Sequence, residues 1–208
     1  MRYLNKIVFI NSAAIRYSEV QLDGNIHLIG TQGVGKSTIL RAILFFYNAD
    51  TQRLGIPVEK KSYQDYYFPY ADSSIIYEVA REDGWFTVLS YKTMNRICYR
   101  FIASPYRPDL FIDEEGAPYP SDRIRSVLDK NGIKYSGAIS TYEEYRNILY
   151  GNSDNKRDYS CYSLMESGSY QNIIRTIQNV LLNSRLEADY IKQTIITSLN
   201  EADSVIDL

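Results

Sequence analysis

Cysteine is scarce in this chain: two residues in 208, Cys98 and Cys161, far apart and without CxxC spacing. That excludes a disulfide framework and a cysteine-built zinc site, and leaves reduced, partly buried thiols as the expectation. Histidine is scarcer still, with His27 alone, and a packed or edge position suits it better than catalysis. Long apolar runs are missing too. The longest, Ala42 to Tyr47, falls far short of a membrane span, and Met1 to Ile10 lacks the extended apolar core and small-residue cleavage site of a secretion signal. A cytoplasmic protein with no membrane partner is expected. Neither sign of charge dominates: the net charge is −2 and the isoelectric point is near 5.5. That argues against DNA binding by overall basicity while leaving room for a local patch. There is no internal repeat and no low-complexity segment.

What is present is 45% hydrophobic and 23% charged residues, a composition and length suited to one full core or two small lobes. We expect a single lobe over 1–208, β-rich over 1–120 and helix-rich over 121–208. Twenty tyrosines are many for this length. They concentrate in Tyr63-Gln64-Asp65-Tyr66-Tyr67-Phe68-Pro69-Tyr70, which reads as an interface, as an adenine-stacking surface or as a half-buried loop.

One octet nearly dictates a ligand. Gly30-Thr31-Gln32-Gly33-Val34-Gly35-Lys36-Ser37 matches G-x-x-x-x-G-K-[ST], a match expected by chance in fewer than roughly one in a hundred chains this long. The motif requires a strand before it and a helix after it. Asn25 to Ile29 reads as that strand, and Ser37 to Tyr47, apolar and free of Gly and Pro, as that helix. Glycines at 30, 33 and 35 let successive N–H groups turn inward onto phosphate oxygens. Lys36 would reach the β- and γ-phosphates, Ser37 would ligate Mg²⁺, and Thr38 would add a donor near the α-phosphate at the positive end of the helix. The cofactors expected are therefore ATP and Mg²⁺.

Elsewhere the pattern predicts strands at Lys6 to Ile10 and Ser18 to Leu22, with Asp23-Gly24 as a turn. Tyr47 to Asp72 is loop-like. An antiparallel meander follows at Ser74 to Ala80, Phe86 to Tyr91 and Ile97 to Ala103, joined by a short run at Leu110 to Ile112. Ser121 is read as the N-cap of a helix with an Ile124, Val127, Leu128 stripe and a stop at Gly132. Thr141-Tyr142-Glu143-Glu144 is a capping box whose helix stops at Gly151. After a polar loop over 152–158, apolar stripes at Ile173, Ile174, Ile177, Leu181 and at Ile191, Ile195, Leu199, the second behind a capping box at Ser184, indicate further helices packed on a core.

A nucleotide loop alone does not hydrolyse ATP; a carboxylate on Mg²⁺ and a residue that positions water are also needed. Asp113 and Glu114, after Leu110-Phe111-Ile112, are the one candidate pair. Pro108 and Asp109 crowd the short apolar run from one side and Glu115-Gly116-Ala117-Pro118 from the other, so a hairpin tip fits them better than a buried parallel strand.

Lys6 to Leu44, KIVFINSAAIRYSEVQLDGNIHLIGTQGVGKSTILRAIL, resembles the N-terminal head segment of SMC-type ATPases, which runs strand, short turn, strand, a "DGN" or similar, then the P-loop. Tyr66 to Tyr70, Tyr145 to Gly151 and Ile177 to Ser184 look similar to bacterial condensin-like members of the MukB and Wadjet JetC kind. The resemblance implies an α/β fold of mixed α+β type: half of an ABC-type P-loop NTPase head, with an antiparallel β-meander and C-terminal helices that lead toward a coiled coil. It implies that a C-terminal head segment of the same protein supplies the signature motif and Walker B carboxylate, that a second head closes on the nucleotide, and that DNA is acted upon. Gly30, Gly33, Gly35, Lys36, Ser37 and Thr38 carry over. Arg53 stands where family members often place a basic residue near nucleotide or DNA, or is a solvated arginine. Gln64, Gln171 and Gln178 are all available as the Mg²⁺-contacting glutamine, none in a convincing motif. Thr31-Gln32 replaces the commoner Pro-Asn, and Glu166-Ser167-Gly168 is too weak a match to a signature motif. Two rival readings stand beside this one: a self-contained P-loop NTPase or kinase using Asp113 and Glu114, and a nucleotide-gated interaction module that never hydrolyses. For a DNA patch the sequence offers Lys60, Lys61, Arg96, Arg100, Arg107, Arg123 and Arg125.

Overall fold

Five strands form one antiparallel sheet in the order β2-β1-β3-β4-β5, in a computed structural model. It describes residues 2–164 apart from 25, 32, 34, 49, 52, 53, 55, 57–59, 95 and 152–158. These residues all fall in one compact unit, Met1–Gly168. The expected helices over 173–199, the polar loop at 152–158, Arg53, Gln171, Gln178 and the stretch 166–168 lie outside the described residues.

The strands are β1 (Tyr3–Ser12), β2 (Ile15–Gln21), β3 (Ser74–Arg81), β4 (Gly84–Thr93) and β5 (Arg96–Ile102). Their central members are apolar nearly end to end, the pattern of a sheet covered on both faces. Alternation sends Ile7, Phe9, Tyr77, Tyr99 and Phe101 to one face and Val8, Ile10, Ile76, Leu89 and Ile102 to the other. The meander expected over residues 74–103 is β3, β4 and β5, paired in sequence order. Beyond β5, residues 134–139 cover the sheet edge through Tyr99 and Phe101, as in Tyr99 N–H to Ile139 O at 2.8 Å.

Aromatic packing holds the first face. Helix α1 (Lys36–Asn48) lies there with Phe45 stacked on Tyr99 and Phe46 against Tyr77. Four phenols donate to its main-chain carbonyls: Tyr67 to Thr38 O (2.8 Å), Tyr77 to Ala42 O (3.1 Å), Tyr145 to Phe46 O (2.7 Å) and Tyr150 to Tyr47 O (2.6 Å). Helix α2 (Tyr63–Tyr67) and helix α4 (Tyr142–Leu149) complete this layer, α4 with Thr141 Oγ1 accepting from Glu144 N–H as the capping box predicts.

The second face is aliphatic. Helix α3 (Ser121–Lys130) covers it with Ile124 and Leu128, beside Tyr106, Leu110 and Phe111. Between β3 and this layer the buried Glu78 carboxylate accepts from Asn5 Nδ2 at 2.7 Å and from Tyr106 N–H at 2.6 Å.

Several expectations are corrected. Ser121 is the first helical residue of α3 and Pro120 its cap, with extended backbone (φ −64°, ψ 156°) and no side-chain cap hydrogen bond. Leu110 to Ile112 does not extend the meander: Pro108–Leu110 is a 3₁₀ turn, and Ile112 only bridges Pro118. The loop-like stretch before β3 contains α2, too short to show a helical period. Residues 26–31 form no strand, and among the described residues none pairs with them. His27 is accordingly exposed rather than packed in a strand. Cys98 is buried, Cys161 is exposed, and neither is in a disulfide.

Candidate phosphate-binding loop

The loop enters α1 through two glycines that need their freedom. Gly33 and Gly35 sit at φ +92° and +93°, where an L side chain is strained, although a Cβ there would meet nothing within 4 Å. Open space beside both positions leaves room for a ligand against the main chain. Gly35 O accepts from Thr38 N–H at 3.0 Å and Ile39 N–H at 3.1 Å, which starts the helix. The first amides of a helix have no partner inside it and carry its positive end. No acidic side chain stands in the first turn of α1 to offset that field.

Lys36 folds back over the loop, its ammonium donating to Gly30 O at 2.5 Å and Thr31 O at 2.7 Å. Ser37 is exposed and Thr38 is half-buried. The structure thus brings Gly30, Thr31, Gly33, Gly35, Lys36, Ser37 and Thr38 together; Gln32 and Val34 lie outside the described residues. Chemically this is a set of main-chain donors, an ammonium and a hydroxyl along one turn. A polyphosphate fits that donor set, and a divalent ion bound to it would find the Ser37 hydroxyl.

Sequence reading missed how α2 joins this loop. Tyr67 O–H holds the Thr38 carbonyl, and the Tyr66 hydroxyl is 3.4 Å from Thr38 Oγ1. Burial pushes the Tyr67 phenol well above its usual pKa, so it remains a donor. Twenty-nine residues separate Tyr67 from Thr38 in the chain; only the density of tyrosines over 63–70 signalled the contact. Tyr63, Tyr67 and Phe68 are buried while Tyr66 and Tyr70 are exposed. The cluster is therefore part core and part surface.

Asp113 and Glu114 stand elsewhere. Asp113 Oδ1 accepts from Glu115 N–H (3.0 Å) and Ala117 N–H (2.7 Å), closing a tight hairpin tip, and Glu114 is exposed. Leu110 and Phe111, just before them, pack in the aliphatic layer. That layer lies on the side of the sheet opposite α1, so the pair is not brought to the glycine loop.

The basic positions scatter as well. Lys60 and Lys61 are exposed just before α2, and Gln64 is half-buried within it. Arg96 is exposed at the start of β5, while Arg100 is 5% exposed beneath the Tyr135 ring. Arg107 pairs with Asp109 at 2.6 Å. Arg123 sits over Tyr119, in an open cleft of about 470 Å³ that it lines with Asp109 and Lys130, and the Arg125 guanidinium is held above its usual pKa by Tyr135. Lys60 and Lys61 thus flank the aromatic layer, whereas Arg123 and Arg125 belong to α3 on the other.

Among the described residues no helix is long and apolar enough to cross a membrane. Residues 12–208 match a family described as "Protein of unknown function (DUF3584)". No curated protein matches the chain.

Proposed function

The chain belongs to the DUF3584 family, and from its own loop and helix we propose that it binds ATP with Mg²⁺ as the N-terminal part of an SMC-like ATPase head. The observation that carries the proposal is the Gly33–Gly35 turn opening onto the start of α1 with Lys36 folded across it. In this role the loop amides and Lys36 hold phosphate charge and Ser37 offers its hydroxyl to the metal. Bound Mg²⁺ would neutralise phosphate charge and polarise the terminal phosphoryl group.

Hydrolysis needs a carboxylate from elsewhere, because Asp113 is engaged in its own turn across the sheet. In the proposed head it comes from the C-terminal segment of the same protein, and a second head closes the site. The exposure of the segment before the loop supports this. Ile26 and Ile29 are 40% and 90% exposed, whereas a strand feeding a parallel sheet is buried on both faces. Among the described residues no strand pairs with this segment, and in this reading its neighbours belong to the C-terminal segment. The full protein would then couple ATP-driven head engagement to DNA, in chromosome organisation or in defence against plasmids or phage.

Equilibrium binding and turnover test the reading together. The unaltered chain is expected to bind Mg-ATP weakly and hydrolyse it negligibly, and Lys36→Ala to abolish the binding. Robust hydrolysis lost on Asp113→Asn or Glu114→Gln would instead establish a self-contained NTPase.

A further inference from the structure

Tyr66 is the ring of α2 that the core does not use. Tyr63 and Tyr67 stack on each other with centroids 4.1 Å apart, and Tyr63 stacks on Phe45 at 4.4 Å. Both are buried. Tyr66 is 38% exposed and stands edge-on to Tyr67 at 5.1 Å and 81°. Its hydroxyl reaches toward Thr38 Oγ1.

The short helix beneath it is pinned at both ends. Ser62 Oγ accepts from Asp65 N–H at its start, and Ser12 Oγ donates to Tyr67 O at 2.8 Å at its end. A fixed aromatic surface therefore stands beside the first turn of α1. A ring held in this way loses little freedom when a ligand packs on it.

We propose that Tyr66 contacts the nucleoside end of a nucleoside triphosphate held by the Gly30–Thr38 loop, its ring packing on the base. This inference rests on the phosphate-loop reading. With the terminal phosphates at Lys36, the α-phosphate lies toward Thr38, and ribose and base continue outward from it. The side chain already beside the Thr38 hydroxyl is Tyr66. Every base offers a π-face, so stacking adds affinity with little choice among bases. ATP and GTP are expected to bind within a few-fold of each other.

Mg-ATP and Mg-tripolyphosphate, titrated in parallel against the full chain and its variants, separate the possibilities. Tyr66→Ala is expected to weaken ATP roughly ten-fold, the scale of one lost stacking contact, and to leave tripolyphosphate unchanged. Tyr66→Phe keeps the ring and is expected to keep ATP affinity. Lys36→Ala is expected to lose both ligands. If Tyr66→Ala binds ATP like the parent while Lys36→Ala loses both ligands, the base contact is overturned and the phosphate loop stands. Equal loss of ATP and tripolyphosphate in Tyr66→Ala would also overturn it, assigning α2 a purely structural role. If Lys36→Ala changes neither ligand, or the parent binds neither, the phosphate loop falls and the base contact with it.

Discussion

At Thr38 three demands meet in one residue: its carbonyl takes the Tyr67 hydroxyl, its side chain faces Tyr66, and its N–H closes onto Gly35. Gly35 is the hinge of that arrangement, and the space around it makes for a clean experiment. Because a Cβ would meet nothing while φ is +93°, Gly35→Ala strains the main chain without a clash, by on the order of 1–2 kcal/mol. Relief of that strain would turn the Gly35 peptide away from its present orientation at the start of α1. Calorimetric titration is expected to show Mg-ATP affinity falling about ten-fold while the melting temperature drops only a few degrees; parental affinity would detach the loop from nucleotide binding. Leu110 to Asp113 teaches the complementary point about single residues. An apolar run ending in Asp resembles a metal-binding strand, but Asp113 spends its carboxylate on two amides of its own turn.

Among the elements, α3 ends as its sequence predicts. Gly132 N–H bonds to Asp129 O and Ile133 N–H to Leu128 O, both at 3.0 Å, and Ile133 packs against the core cluster that contains Leu128. Gly132 holds φ +65°, so Gly132→Ala is expected to cost about 1 kcal/mol. Thr141→Ala, which removes the α4 cap, is expected to cost a similar amount, about 1 kcal/mol. Urea unfolding measures both, and a midpoint unmoved by either change would show that the ends of these helices are held by packing alone. Legibility followed the reach of each signal. The β3–β4–β5 meander was readable because its β-rich apolar runs are local and nearly continuous. The hairpin joining β1 to β2 turns at Ala13 with φ +54°, a conformation an alanine gives no sign of, so both strands run longer than their apolar cores suggest. The segment 25–29 carries the composition of a strand, but a strand exists only where a neighbour pairs with it. In α2, five residues of Tyr, Gln and Asp have no period to read; its helix is fixed by ring stacking on Phe45, a contact invisible in the local sequence.

Across the whole unit the sheet divides two chemistries, an aliphatic layer under α3 and an aromatic layer under α1. Burial raises the phenol pKa values of Tyr63, Tyr77, Tyr99 and Tyr145, all in the aromatic layer. A raised folded-state value means that stability is complete below the unfolded phenol pKa near 10 and declines as pH climbs above it. Each such phenol contributes on the order of 1 kcal/mol of loss per pH unit in that range. Unfolding at high pH is expected to be cooperative, with the share of tyrosinate absorbance that comes from the buried phenols rising in step with loss of circular dichroism. Ionisation of all twenty tyrosines with the fold intact would contradict the burial. The row of hydroxyls along α1 has a further consequence, for how the sequence can drift. Phenylalanine fills the volume of tyrosine, and in most cores the exchange is among the most forgiving. At Tyr67, Tyr77, Tyr145 and Tyr150 the ring alone would still fit, but the mark that locates one turn of α1 against the sheet would be erased. Exposed Tyr3 and Tyr70 carry no such mark. The tyrosine richness of the chain is thus partly an address system, and the hydroxyls are the letters it can least afford to lose.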